Sequence, residues 1–293
     1  MHKNRPISDL LARQRPVLSV EFFPPKDDAG GELILKTAEE IRTYVDPDFV
    51  SITYGAGGGT RERTFRYARI LKERYGFEVM PHLTCVGSSY DEMREIIREY
   101  QEAGFCNIMA LRGDPPKGET SFKPHPDGPP YASDLVNFIR QEFSGFSLGV
   151  AGYPEIHPEA KSAESDLKYL KLKVDQGGSF ITTQLFYDNE TFFKFAENCR
   201  AAGIDVPIIP GLMPIRSAKQ ARRFAKVIPP QLDALLDEAG EDAEKVHEVG
   251  IDWTYRQICE LIEKGFNGIH LYIMNRSHMP IEVIERLRAS NVL

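Results

Sequence analysis

The stretch DFVSITYGAGGGTRERTFRYARILKERYGFEVMPHLTC, residues 48–85, decides the fold. It opens on a short β-branched apolar run, DFVSITY (48–54). A glycine-rich turn leads into RERTFRYARILKERYG (61–76), a helical pattern that closes on glycine. A second apolar run, EVMPHLTC (78–85), follows at once. The same alternation extends both ways along the chain. Further candidate strands are VLSVEFF (17–23), NIMALRG (107–113), FSLGVAGY (146–153), FITTQLF (180–186), VPIIPGL (206–212) and GIHLYIM (268–274). Helical patterns such as YDEMREIIREYQEAG and NETFFKFAENCRAAG lie between them.

Eight strands separated by helices predict parallel pairing and an α/β fold closed as a (β/α)8 TIM barrel. Residues 1–293 are expected to form a single catalytic barrel, with 1–15 as an N-terminal extension and 228–255 as an extra helical insertion before the last strand. An open doubly wound sheet is the alternative, but no Gly-x-Gly-x-x-Gly follows the first strand. The nearest match, GAGGGT at 55–60, has Thr60 in the sixth position. It reads equally as a turn letting backbone approach a ligand and as a plain loop. The Pro/Gly-rich loop 114–130 is longer than a usual connection and is often functional at that length.

Composition narrows the function. Hydrophobic residues make up 42% and charged residues 27%, enough for a sizeable core beneath a solvated surface. A net charge of -7 gives no reason to expect nucleic acid or an anionic membrane as partner. Cys85, Cys106, Cys199 and Cys259 form no Cys-x-x-Cys pair, which argues against a zinc site or a disulfide framework. MHKNRPISDLLARQRP lacks the apolar run of a signal peptide, and no segment reaches transmembrane length without charges, so a cytoplasmic location is expected.

In such barrels the chemistry sits at the C-terminal ends of the strands. There the sequence offers Glu21, Thr53, His82, Arg112-Gly113-Asp114, Tyr153, Glu155, His157, Gln184 and Asn275-Arg276. Glu21 alternates with Ser19 and Val17, which aims it into the barrel. Burial there is expected to raise its pKa, as suits a general acid. The alternative is a structural carboxylate paired with an arginine such as Arg112. Asp114 supplies a second carboxylate in different surroundings, open to a different role. Glu21, His82, Asp114 and His157 are permissible metal ligands, but no His-x-His spacing supports a site, so no metal is expected. No lysine stands at a strand end to form a Schiff base with pyridoxal phosphate. Asp166 and Lys173 share a helix face. They could meet a ribose hydroxyl and a phosphate, or lie on a solvated face. Tyr153 and His157 flank a turn and could cover a planar ring system.

Several segments together resemble the methylenetetrahydrofolate reductase family: SVEFFPPK, FVSITYGAGGGTRERT, PHLTC, ALRGDPP, YASDLV, AGYPEIHPEAKS, DLKYLKLKVDQGG, ITTQLFYD, IPGLMPI and LYIMNR. The resemblance runs over residues 20–276. It implies non-covalent FAD at the strand C-termini, reduced by NADH or NADPH. Methylenetetrahydrofolate then takes the nicotinamide's place and receives the hydride in a ping-pong sequence, giving methyltetrahydrofolate for methionine synthesis. By matching position, Glu21 resembles the general acid, and Asp114 an aspartate near flavin and pterin. The FAD positions are Thr53, His82, Arg112, Gly113, Asp114, Tyr131, Ala132, Tyr153, His157, Ala160, Asp166 and Lys173. The substrate positions are Asp114, Gln184, Gln220, Phe224 and Arg276, with Phe224 stacking on the bound ring; read alone, Phe224 is a core residue of its helix.

Tyr169 and Leu172 depart from the family pattern, where a polar and a basic residue can occur, and are not carried over. The resemblance also implies a homo-oligomer. The chain ends soon after the barrel, so feedback by S-adenosylmethionine, which acts through an added domain in eukaryotic relatives, is not expected. Two competing readings remain: a metal-dependent barrel hydrolase, and a folate-binding barrel subunit reduced by a partner protein.

Overall fold

The structure is a computed structural model that describes residues 4–54, 61–115, 118 and 122–293. The GAGGGT turn therefore lies outside the described residues. Each predicted apolar run contains strand: β1 (Val17–Phe22), β2 (Phe49–Ile52), β3 (Val79–Thr84), β4 (Asn107–Leu111), β5 (Ser147–Gly152) and β6 (Phe180–Thr183). The seventh run is split into β7 (Ile208–Ile209) and β8 (Gly211–Leu212), and β9 (Gly268–Tyr272) is last. All pairings are parallel, in the order β7-β6-β5-β4-β3-β2-β1-β9-β8.

The break at Pro210 is where the barrel closes. Proline has no N–H to give to a ladder, so the run changes partner there. Ile208–Ile209 pairs with β6, and Gly211–Leu212 pairs with β9. Pro210 still accepts from His270 N at 3.0 Å, and Gly211 N donates to Thr183 Oγ1 at 2.9 Å. The two short strands are one bent stave of an eightfold barrel.

Helices surround the strands: α1 (Ile7–Leu11), α2 (Asp28–Glu40, continued by a π turn Ile41–Val45), α3 (Arg61–Tyr75), α4 (Tyr90–Glu102), α5 (Ala132–Glu142) and α6 (Ala163–Asp175). After them come α7 (Asn189–Ala201), α8 (Ala218–Phe224), α9 (Pro230–Ala239), α10 (Ala243–Glu263) and α11 (His278–Ala289). Their starts are written locally. Asp27, Ser89, Ser162, Asp188, Ser217 and Asp242 each accept from a first-turn N–H, which satisfies donors the helix leaves orphaned. Residues 228–255 fold as α9 and the first part of α10.

Strand alternation divides the core. Val20, Phe22, Val50, Ile52, Ile108 and Val150 face the helices. Val17, Phe49, Met80, Met109, Phe180 and Ile209 fill the lower barrel interior, where Ile7 and Leu10 of α1 close it from below. Residues 4–11 thus belong to the barrel. Ile7 N donates to Asn107 Oδ1 at 2.8 Å, and Ser8 N to Ser147 Oγ at 3.1 Å, at the starts of β4 and β5. The interior positions nearer the C-terminal mouth are polar, and there the candidate site lies. Among the described residues, no helix is long and apolar enough to cross a membrane.

Candidate active site

Glu21 lies next to last in β1, with only 6% of its surface exposed. Register carries three partners to it. Ser51 stands opposite it on β2 and His270 opposite Ser19 on β9, while His82 comes from β3. Glu21 Oε2 lies 3.3 Å from His82 Nε2 and 3.7 Å from His270 Nε2, and it accepts from Ser51 Oγ at 3.3 Å. Here the expectation of a raised pKa is overturned. Burial does push the carboxyl up, but the two imidazoles outweigh it and hold Glu21 at about 2. A buried carboxylate flanked by cationic or donating groups favours its charged form. The alternative pairing with Arg112 also fails, because Arg112 is engaged elsewhere.

Arg112 leaves β4 and makes a two-pronged contact with Glu159, at 2.6 and 2.8 Å. Its guanidinium sits 4.7 Å from the centre of the Phe122 ring. Tyr131, the N-cap of α5, is 59% exposed with its ring 6.4 Å from Phe122, and Ala132 begins the helix. Gly113 has φ 88°, and a Cβ there would meet Val86 Cγ1 at 2.6 Å, so the backbone bends as only glycine allows. Asp114 follows, exposed at the rim. Its charge, after burial, helps raise the Tyr153 hydroxyl to about 12.

The segment after β5 folds as a tight turn. Tyr153 and His157 meet edge to face at 4.6 Å, and Ala160 N donates to His157 O at 2.9 Å. Asp166, in the first turn of α6, accepts from His157 N at 2.9 Å. Lys173, two turns on, is half-buried and donates Nζ to Ala151 O. Burial lowers its pKa to about 8, with Asp166 opposing. A solvated helix face does not describe this lysine. Tyr153, Asp166, Leu170 and Phe195 also line a cavity of about 370 Å³ between α6 and α7.

Of the substrate positions, Gln184 is exposed just past β6, and Arg276 is exposed past β9. Phe224 ends α8 with 43% exposure, so it is a surface ring and not a core residue. Gln220 is buried and occupied: Oε1 accepts from Arg216 N at 2.8 Å, and Nε2 donates to Met213 Sδ at 3.0 Å. Thr53 is half-buried, its carbonyl accepting from Thr64 Oγ1 at 3.1 Å. Glu155 accepts from Lys226 N at 2.6 Å, which ties the β5 turn to the segment after α8. The hydrolase set does not assemble. Glu21 and His82 meet, but among the described residues no group of three or more His, Cys, Asp or Glu is arranged so that it could hold a metal ion.

Sequence reasoning missed His270, although GIHLYIM carried the signal. His270 is the polar exception in an apolar strand, as Glu21 is in its own. Glu159 was missed because nothing local marks it as the partner of Arg112.

These features suit an anionic, ring-bearing ligand across the mouth. Lys173 is a half-buried ammonium answered by a carbonyl, and Gly113 brings backbone close without a side chain. A carboxylate between imidazoles beneath them is an arrangement chemically able to move a proton, so the fold and site define a (β/α)8 barrel with its ionisable groups gathered at the strand C-termini. A family model, methylenetetrahydrofolate reductase, matches residues 6–288. The 5,10-methylenetetrahydrofolate reductase of Escherichia coli is 40% identical over 274 residues, covering 92% of this chain and 90% of that protein. That of Pectobacterium carotovorum is 37% identical, covering 97% and 93%. Methylenetetrahydrofolate reductase (NADH) 1 of Arabidopsis thaliana is 36% identical over 96% of this chain but only 50% of its own length. Among solved structures, a Clostridium thermocellum protein that binds two copies of 5-methyl-5,6,7,8-tetrahydrofolic acid superposes with TM-score 0.64 at 18% identity, covering 98% and 99% of the two chains. At that identity the likeness bears on fold alone. The chain belongs to the methylenetetrahydrofolate reductase family and is an oxidoreductase that reduces methylenetetrahydrofolate.

Proposed function

We propose that the reduction runs through FAD held non-covalently at the barrel mouth, with NADH or NADPH as electron source and a ping-pong order. The reading places the chain in the cytoplasm as a homo-oligomer, supplying methyl groups for methionine synthesis. The observation that carries it is Glu21, a carboxylate enclosed beside two imidazoles under a rim built for an anionic ligand. The Arabidopsis relative is named for NADH. The Clostridium structure holds a reduced methylfolate, the kind of product proposed here.

Arg112, Gly113, Tyr131, Ala132, His157, Ala160, Asp166 and Lys173 would hold the FAD phosphates, ribose and adenine, with Thr53, His82, Asp114 and Tyr153 nearer the flavin ring. Bound there, FAD supplies hydride transfer in both half-reactions. The protein's own work is binding and proton management. Gln184, Gln220, Phe224, Arg276 and Asp114 would seat the folate, Gln220 by exchanging its present bond to Met213. Glu21 delivers a proton to the folate nitrogen so that the one-carbon bridge opens and can accept hydride. Asp114 keeps negative charge near the flavin, which disfavours its anionic reduced form.

An anaerobic absorption spectrum tests this. A yellow protein that bleaches with NADH or NADPH and recovers with methylenetetrahydrofolate is expected. A protein that stays colourless after incubation with FAD would refute it and favour reduction by a partner protein.

A further inference from the structure

Resting on that reading, we infer that His270, acting through Ser51 and Ser19, positions Glu21 and supplies the proton that Glu21 passes to the folate. His270 is 1% exposed and enclosed on every side. Its Nδ1 lies 2.8 Å from Ser19 Oγ, which lies 3.1 Å from Ile269 O. A serine hydroxyl has one hydrogen to donate. When Ser19 gives it to Ile269 O, Nδ1 must be the donor to Ser19. Nε2 is then the nitrogen free to gain or lose a proton, and it faces Glu21.

Between them stands Ser51, with Oγ 3.5 Å from His270 Nε2 and 3.3 Å from Glu21 Oε2. The imidazole is held against rotation. Phe49 stacks on one side at 6.3 Å, and Tyr272 meets it edge-on at 5.1 Å. Tyr272 Oη is in turn anchored to Thr183 O at 2.7 Å. The titratable groups facing this centre are His82 from β3 and Tyr272 from β9; β2 presents only Ser51 and Phe49.

The arrangement explains how an ionised Glu21 can serve as an acid. The transferable proton is stored beside it, on the imidazolium. Ser51 first passes its hydroxyl hydrogen to the ionised Oε2, giving the carboxyl that then protonates the folate nitrogen. His270 passes its Nε2 proton to Ser51 Oγ and becomes the neutral Nδ1–H imidazole. One proton leaves the protein and one charge leaves His270, so the step balances. The reverse chain reloads His270 when the product departs and water reaches the mouth.

His270→Gln keeps polarity but cannot store a proton. In stopped-flow measurements it should slow the folate half-reaction about 10- to 100-fold, at or below the lower end of the roughly 10²- to 10⁴-fold that general acid catalysis contributes, because Glu21 itself remains. It should also flatten the pH dependence of that half-reaction, leaving nicotinamide oxidation within about threefold. Ser19→Ala, which frees the tautomer, should displace the pH profile without abolishing it. Equal loss of both half-reactions, or unchanged pH profiles in both variants, overturns the inference. Nitrogen-15 spectra of histidine-labelled protein give a readout independent of turnover. They should show Nδ1 of His270 protonated in wild type and the Nε2 resonance displaced in Glu21→Gln; an Nδ1 without its proton, or an unmoved Nε2 resonance, also overturns the inference. These spectra need neither substrate, so a wild type that fails the flavin test would sink the proposed function and leave the His270–Glu21 coupling separately readable.

Discussion

Replacing Glu21 with Gln removes a carboxylate that the fold holds at about 2, against 4.5 for a free side chain. Burial opposes ionisation, and His270 and His82 more than offset it. At ~1.4 kcal/mol per unit, the displacement contributes about 3 kcal/mol of folding stability at neutral pH. The sign follows from which state binds the proton first. The folded value lies below the unfolded one, so on acidification the unfolded chain protonates earlier. The contribution is whole above 4.5 and is lost as pH falls towards about 2. Glutamine has no proton to bind. The difference in unfolding free energy between wild type and Glu21→Gln should therefore shrink by about 3 kcal/mol between neutral pH and pH ~2. Urea denaturation followed by circular dichroism at stepped pH and fixed ionic strength measures this. A difference that stays constant with pH would refute the reasoning, since it would mean that Glu21 has the same pKa folded and unfolded, and one that moves in favour of wild type on acidification would mean that Glu21 is already neutral in the folded protein.

Lys173 should make flavin binding pH-dependent. A bound phosphate favours the ammonium, whose pKa lies at about 8, so FAD affinity measured by fluorescence quenching should fall as pH rises through that value. Lys173→Met should weaken binding about tenfold or more and remove the dependence, as expected for loss of one charged hydrogen bond. Gly113→Ala should destabilise by about 1–3 kcal/mol, through its positive φ and the clash with Val86. Gly76→Ala, also at positive φ but with nothing near its Cβ, should cost less in the same denaturation assay. Asp114→Asn should slow folate reduction and raise the flavin potential, measured by dye equilibration; an unmoved potential would place that charge out of reach of the flavin.

Sequence alone determined the number of staves and the end of the barrel that carries polar groups. Alternation within strands and helical periods between them are local properties, written residue by residue in runs such as VLSVEFF and RERTFRYARILKERYG. Helix starts at Ser89, Ser162 and Asp188 are local for the same reason. Glu21 stood out because a carboxylate inside an apolar run needs a purpose. Its ionisation could not be read there. Burial and neighbouring imidazoles act in opposite directions, and only closure of β1 against β9 brings His270 to it from the far end of the chain. The same holds for Pro210, legible as a strand breaker but not as the hinge between two partner strands. It holds for Arg112, which meets Glu159 only after the β5 turn has folded, and for α1, whose two apolar side chains become a floor only once a barrel exists to be closed. Pattern along the chain fixes which way each side chain points, whereas the balance of charge and desolvation at a site depends on groups that only the closed barrel places within a few ångströms.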